Sequence, residues 1–92
     1  MEKIKIGKNE YNIGPLNAYD LDIVNESYEG KKLTKTKESF MIYLYTIKLY
    51  NPDIKMEIDE FMKSCPVADL TRVCERLNEV TGINFLTAKK KS

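Results

Sequence analysis

The sequence predicts an α+β fold, mainly α, in which an N-terminal β-hairpin is followed by three or four helices packed as a small bundle. Three observations predict it. Apolar and polar residues alternate with period two from Lys3 to Ile13, apolar residues then recur at spacings of three and four, and glycine or proline punctuates the changes of pattern. With 92 residues, 42% of them hydrophobic and 32% charged, the chain has material for one core and not for two. Residues 1–86 are therefore expected to form a single domain. Residues 87–92, with Lys89-Lys90-Lys91, are expected to be a flexible, solvated tail.

Lys3-Ile4-Lys5-Ile6 alternates, Gly7-Lys8-Asn9 supplies turn residues, and Tyr11 and Ile13 resume the alternation. A two-stranded hairpin does not hold alone in water, so the face carrying Ile4, Ile6, Tyr11 and Ile13 must lie on helices. Gly14-Pro15 ends the second strand, because proline has no N–H for the ladder. Asn17 is then placed to cap a helix from about Ala18 to Glu29, with Leu21, Val24 and Tyr28 as its buried stripe. Gly30-Lys31-Lys32 breaks that helix. Thr34 or Thr36 can cap the next, roughly Lys35 to Tyr50, with Glu38 in the first turn where a negative charge suits the helix dipole. Asn51-Pro52-Asp53 forces a turn, since the residue before proline is pushed out of the helical region. Met56 to Lys63 reads as a short helix with Ile58, Phe61 and Met62 apolar. Ser64 or Cys65 lies near the next cap, with Pro66 in the first turn of a final helix. Val67, Leu70, Val73, Cys74, Leu77 and Val80 form its stripe, Gly82 stops it, and Ile83 and Phe85 are expected to fold back on the core.

The helix from Lys35 to Tyr50 is unusually apolar: from Phe40 onward only Thr46 and Lys48 interrupt it. Phe40, Tyr43, Leu44, Ile47 and Tyr50 fall on one stripe, and Met41, Ile42, Tyr45 and Leu49 on the opposite one. Two readings follow. Either the helix is sandwiched between the hairpin and the terminal helix, or one stripe packs inward while the other meets a partner. The first is the ordinary place for an all-round apolar helix; Tyr43, Tyr45 and Tyr50 sharpen the second, because a buried hydroxyl needs a hydrogen bond and tyrosine and methionine are enriched where a surface is buried on association, and the two readings are compatible in part. An open second stripe would receive an amphipathic helix or a second copy of the chain. Met41, Ile42, Tyr45 and Leu49 are thus the candidate partner-binding residues.

The chemistry of catalysis is missing. There is no histidine, so neither a Ser-His-Asp nor a Cys-His arrangement can be built, and the glycines at 7, 14, 30 and 82 stand at turns or helix ends rather than in a phosphate loop. Cys65 and Cys74 have no Cys-x-x-Cys spacing and read as reduced thiols. Asp53, Glu57, Asp59 and Glu60 do not follow a calcium loop and read as a solvated face. No catalytic residue, metal or cofactor is expected, and the protein is not expected to be an enzyme. The net charge of +1, from 15 basic and 14 acidic residues, gives no strong field. Lys31, Lys32, Lys35 and Lys37 cluster before the second helix, where they are able to contact phosphate, but a solvated loop is the preferred reading, since no aromatic or arginine residue is interleaved with them. The last helix, with Asp69, Arg72, Glu75, Arg76 and Glu79, has a mixed-charge face unsuited to a major groove. A small regulator or adaptor binding nucleic acid or another protein is the alternative function. Met1 to Gly7 holds no signal-like apolar stretch, and the longest apolar run, Phe40 to Tyr45, is far below bilayer length, so no membrane partner and a cytoplasmic location are expected.

Three segments together resemble the tail assembly chaperones of long-tailed bacteriophages. They are the hairpin Lys3-Ile4-Lys5-Ile6-Gly7-Lys8-Asn9-Glu10-Tyr11 with Gly14-Pro15-Leu16-Asn17-Ala18-Tyr19-Asp20-Leu21 after it, the crowded central helix, and the ending Cys65-Pro66-Val67-Ala68-Asp69-Leu70 through Arg72-Val73-Cys74-Glu75-Arg76-Leu77 to Asn78-Glu79-Val80-Thr81-Gly82-Ile83-Asn84-Phe85. The resemblance implies a phage or prophage protein that coats the helical tape measure protein in the cytoplasm of a bacterial host until the tail tube assembles. It also implies, in many such phages, a longer product made by ribosomal frameshifting whose extension recruits tail tube protein. The Lys89-Lys90-Lys91 codons would permit a slippery sequence, and a plain solubilising tail is the other reading of them.

Overall fold

A computed structural model describes residues 2–83. Phe85, expected on the core, and the tail at 87–92 lie outside the described residues. The order of elements is the expected one, a hairpin and then four helices: β1 (Glu2–Ile6), β2 (Asn9–Ile13), α1 (Ala18–Ser27), α2 (Lys35–Tyr50), α3 (Ile58–Ser64) and, after a 3₁₀ turn (Val67–Asp69), α4 (Leu70–Thr81).

The hairpin is antiparallel, with Ile4 opposite Tyr11 and Ile6 opposite Asn9. Gly7 at φ +61° is the only residue of the two-residue loop with positive φ, the pattern of a type II′ turn that matches strand twist. Alternation puts Ile4, Ile6, Tyr11 and Ile13 on one buried face. Against that face lie Phe40, Tyr43, Leu44 and Ile47 of α2, Phe61 of α3, and Val73 and Leu77 of α4. The Phe40 ring sits 5.4 Å from both the Tyr43 and Phe61 rings, edge-on to the first and tilted to the second, so aromatic packing joins α2 to α3 at the centre of the core.

Helix boundaries follow their caps. Asn17 Oδ1 accepts the Asp20 N–H at 2.9 Å while Asp20 Oδ2 accepts the Asn17 N–H at 3.0 Å, a reciprocal capping box that starts α1. Thr34, not Thr36, caps α2 by accepting the Lys37 N–H. Gly82 at φ +89° stops α4, with its own N–H and that of Ile83 both donating to the Asn78 carbonyl.

Four expectations need correction. α1 ends at Ser27 rather than Glu29, because Tyr28 already leaves helical geometry at φ −126° and ψ 15°. Tyr28 is also only half-buried, its hydroxyl turned back to Asn25 Oδ1 at 2.7 Å. α3 begins at Ile58 rather than Met56, although Met56 itself is buried in the core. Pro66 does not stand in the first turn of α4: it precedes the 3₁₀ turn, whose tighter winding rotates Val67 off the α4 stripe and leaves it 85% exposed.

Asn51 does more than end α2. Its side-chain amide donates to the Ile47 and Asn12 carbonyls at 2.7 and 2.8 Å, and its Oδ1 accepts the Asn12 N–H at 3.0 Å. One side chain thus closes the helix and pairs with the outer edge of β2 as a strand would.

Candidate functional site

α2 is the hub: it packs on β2, α3 and α1, and its inner stripe is sealed, with Phe40, Tyr43, Leu44 and Ile47 buried and Tyr50 half-buried. The opposite stripe is not sealed. Met41, Ile42 and Tyr45 are half-buried and Leu49 is 46% exposed.

The structure divides that second stripe. Met41 and Tyr45 line a groove of about 180 Å³ between α1 and α2, together with Leu44 and with Ile23, Val24 and Ser27 of α1, and with Lys48 as its cationic member. Ile42 does not line the groove and packs against the core cluster instead. Leu49 lies outside the groove, one helical turn beyond Tyr45. Of the four candidate residues, two are therefore brought together with α1, one joins the core and one stands in solvent. The contribution of α1 was the part not anticipated: Ile23 was absent from the expected stripe, although its spacing of four from Ser27 places both on one face.

Each tyrosine hydroxyl of α2 has an internal partner. Tyr43 donates to Asn78 Oδ1 of α4 at 2.8 Å, Tyr50 to the Pro15 carbonyl at 2.8 Å, and Tyr45 to Asp20 Oδ1 of α1 at 2.7 Å. These bonds tie α2 to three neighbours, so the hydroxyls are satisfied without a partner protein and only Tyr45 presents its ring to the groove. Burial, with the Cys74 thiol beside it, holds the Tyr43 phenol well above its ordinary pKa. The bond to Asp20 raises that of Tyr45, because ionising the phenol would set two anions against each other.

The tip of the hairpin and the start of α1 are fitted closely to their surroundings. A Cβ on Gly7 would come 2.5 Å from the Ser64 carbonyl oxygen, and one on Gly14 would overlap the Tyr50 ring. Close approach at both places needs a residue without a side chain.

The remaining chemistry-bearing groups are dispersed. Cys65 and Cys74 are free, half-buried thiols, and burial, followed by the Asp69 carboxylate, pushes the Cys65 pKa up. Lys37 pairs with Asp59 Oδ1 at 3.4 Å, while Lys31, Lys32 and Lys35 are exposed at the α1–α2 connection and the start of α2. Among the described residues no group of three or more cysteine or carboxylate side chains is placed to hold a metal ion, and no helix is long and apolar enough to cross a membrane. No protein-family model, curated protein or solved structure matches the chain.

Proposed function

We propose that this protein is a phage or prophage tail assembly chaperone, a non-enzymatic cytoplasmic protein that binds helical segments of the tape measure protein and keeps them soluble until the tail tube forms around them. The observation that carries the reading is the open apolar groove between α1 and α2, floored by Met41 and Tyr45. At about 180 Å³ it is smaller than the roughly 300–1,000 Å³ of small-molecule pockets, and suits one or two apolar side chains projecting from a docked helix. A tape measure protein is long and helical, and before assembly its apolar stripe is exposed. Covering that stripe side chain by side chain, with a modest groove on each of many chaperone copies, gives protection that the assembling tube can displace. The half-exposed Leu49 extends the apolar surface beyond the groove.

Recruitment of tail tube protein by a longer, frameshifted product belongs to the same proposal, as does self-association. Sequencing the coding DNA tests the first, by a slippery heptamer over the Lys89-Lys90-Lys91 codons with a second open frame behind it. For the groove, the test is replacement of Met41 and Leu49 by Asp, which leaves the bond between Tyr45 and Asp20 in place. Capture of the tape measure protein should be lost while far-ultraviolet circular dichroism stays unchanged. Capture equal to wild type, or unfolding of the variant, would contradict the assignment of this stripe.

A further inference from the structure

α1 is fastened at one end only. Around its start, Gly14 lies against the Tyr50 ring, the Tyr50 hydroxyl donates to the Pro15 carbonyl at 2.8 Å, the Leu16 N–H donates to the Thr81 carbonyl at 3.2 Å, and Asp20 accepts the Tyr45 hydroxyl at 2.7 Å. Leu21 packs against the core cluster. From Ile23 to Leu33 nothing comparable holds the chain. Among the described residues no salt bridge involves this stretch, and its hydrogen bonds stay within α1 and the turn that follows. What keeps this half on α2 is apolar contact, through buried Val24 and half-buried Ile23, beside a groove of about 180 Å³. The connection at 28–34 has slack: Gly30 stands at φ +81°, a Cβ there would meet nothing within 4 Å, and Lys31 and Lys32 are exposed. Extended, these residues reach roughly 25 Å, so the far end of α1 has room to move aside by a helix diameter of about 10 Å.

We infer that α1 is a strap, pinned over Pro15 to Asp20, whose far half swings off α2 so that a partner helix takes its place on Met41, Leu44 and the Tyr45 ring. This rests on the proposed function in taking the partner to be a tape measure helix. What it adds is the way in. A groove that admits one or two side chains becomes a seat for a helix once the far half of α1 leaves, because Leu44, 6% exposed with the strap closed, is uncovered beside Met41. The incoming helix replaces the apolar contacts that Ile23 and Val24 give up, so little apolar surface is lost to water in the exchange. The bond between Tyr45 and Asp20 persists through it and returns α1 to the same place when the partner goes. A strap that is closed most of the time lowers the apparent affinity by the fraction that is open, which keeps the grip reversible.

The test is amide hydrogen exchange on the full chain, free and with helical fragments of the tape measure protein, beside binding titrations of wild type and Val24→Ala. In the free chain, the amides of Ile23 to Tyr28 should exchange through a local opening that low urea does not accelerate, while those of Tyr43 to Ile47 follow global unfolding. A bound fragment should raise exchange at Ile23 to Tyr28 about tenfold, the reverse of the protection that docking onto a fixed α1 would give. Val24→Ala loosens the strap, so it should bind fragments about tenfold more tightly although it is less stable. If a fragment binds but slows exchange at Ile23 to Tyr28, or if folded Val24→Ala binds no more tightly than wild type, α1 stays in place: the inference is overturned and the proposed function stands. If no fragment binds wild type, the proposed function fails. The strap is then decided in the free chain, where exchange of Ile23 to Tyr28 through global unfolding alone overturns it.

Discussion

Tyr45 Oη donates to Asp20 Oδ1 at 2.7 Å, and the same carboxylate accepts the Asn17 N–H through Oδ2 at 3.0 Å. A single acidic side chain thus caps α1 and fastens it to α2, which sets the separation of the two groove walls. Tyr45→Phe should cost about 0.5–1.5 kcal/mol, and Asp20→Ala about 1–2 kcal/mol because it also removes half of the capping box. In a double-mutant cycle by urea unfolding the two should be coupled. Full additivity would show that the bond does not hold the helices together.

Asn51 makes three hydrogen bonds to two elements, so Asn51→Leu should destabilise by about 2–3 kcal/mol and open the β2 edge. Asn51→Asp is the sharper test. A carboxylate can still accept the Asn12 N–H but has nothing to donate to the Ile47 and Asn12 carbonyls, and should cost nearly as much as Leu. Hydrogen exchange at the Asn12 amide reports it directly, and an unchanged rate in both variants would contradict the role.

A methyl group at position 14 meets the Tyr50 ring, so Gly14→Ala should cost about 1–3 kcal/mol. In a Tyr50→Leu background, where the ring is gone, the same change should cost much less. Equal cost in both backgrounds would place its origin in the backbone rather than in the contact.

Tyr43 and Tyr45 both have pKa values raised above the ordinary 10.0, the first mainly by burial and the second mainly by its bond to Asp20. A folded-state value above the unfolded one favours the protonated phenol, so this stability is fully present below about pH 10 and is lost as the pH rises through the folded values. The denaturation midpoint should fall above pH 10, and Tyr43→Phe should flatten that fall. A midpoint that holds or rises there would contradict the linkage.

Much of the fold was legible in the sequence because its signals are local. The alternation of Ile4, Ile6, Tyr11 and Ile13, the Asn17 cap, the proline after Asn51 and the glycine after Thr81 each act within a few residues, and α2 runs over the expected Lys35–Tyr50. What was not legible depends on distant partners. Nothing near Asn51 reveals that its amide meets Asn12, 39 positions earlier in the chain. Val67 keeps helical spacing to Leu70, yet a 3₁₀ turn intervenes and exposes it. At the candidate site, periodicity showed that Met41, Ile42, Tyr45 and Leu49 share a side of α2. Which of them α1 would cover depended on how the two helices dock, so Ile42 went to the core while Met41 and Tyr45 went to the groove.

The inner and outer stripes should therefore respond differently to truncation. Ile47, fully buried, should lose about 2–5 kcal/mol on replacement by Ala, whereas Leu49→Ala should stay within about 0.5 kcal/mol of wild type in urea unfolding. Similar losses at both positions would mean that the second stripe is as much core as the first.

If Met41, Tyr45 and Leu49 of α2 bind the tape measure protein as proposed, co-purification of that protein with a Met41→Asp, Leu49→Asp double variant, which keeps the bond between Tyr45 and Asp20, is the decisive measurement. A folded variant, with wild-type circular dichroism, that no longer retains the tape measure protein is the predicted result. A folded variant that retains it as well as wild type does would contradict the proposed function.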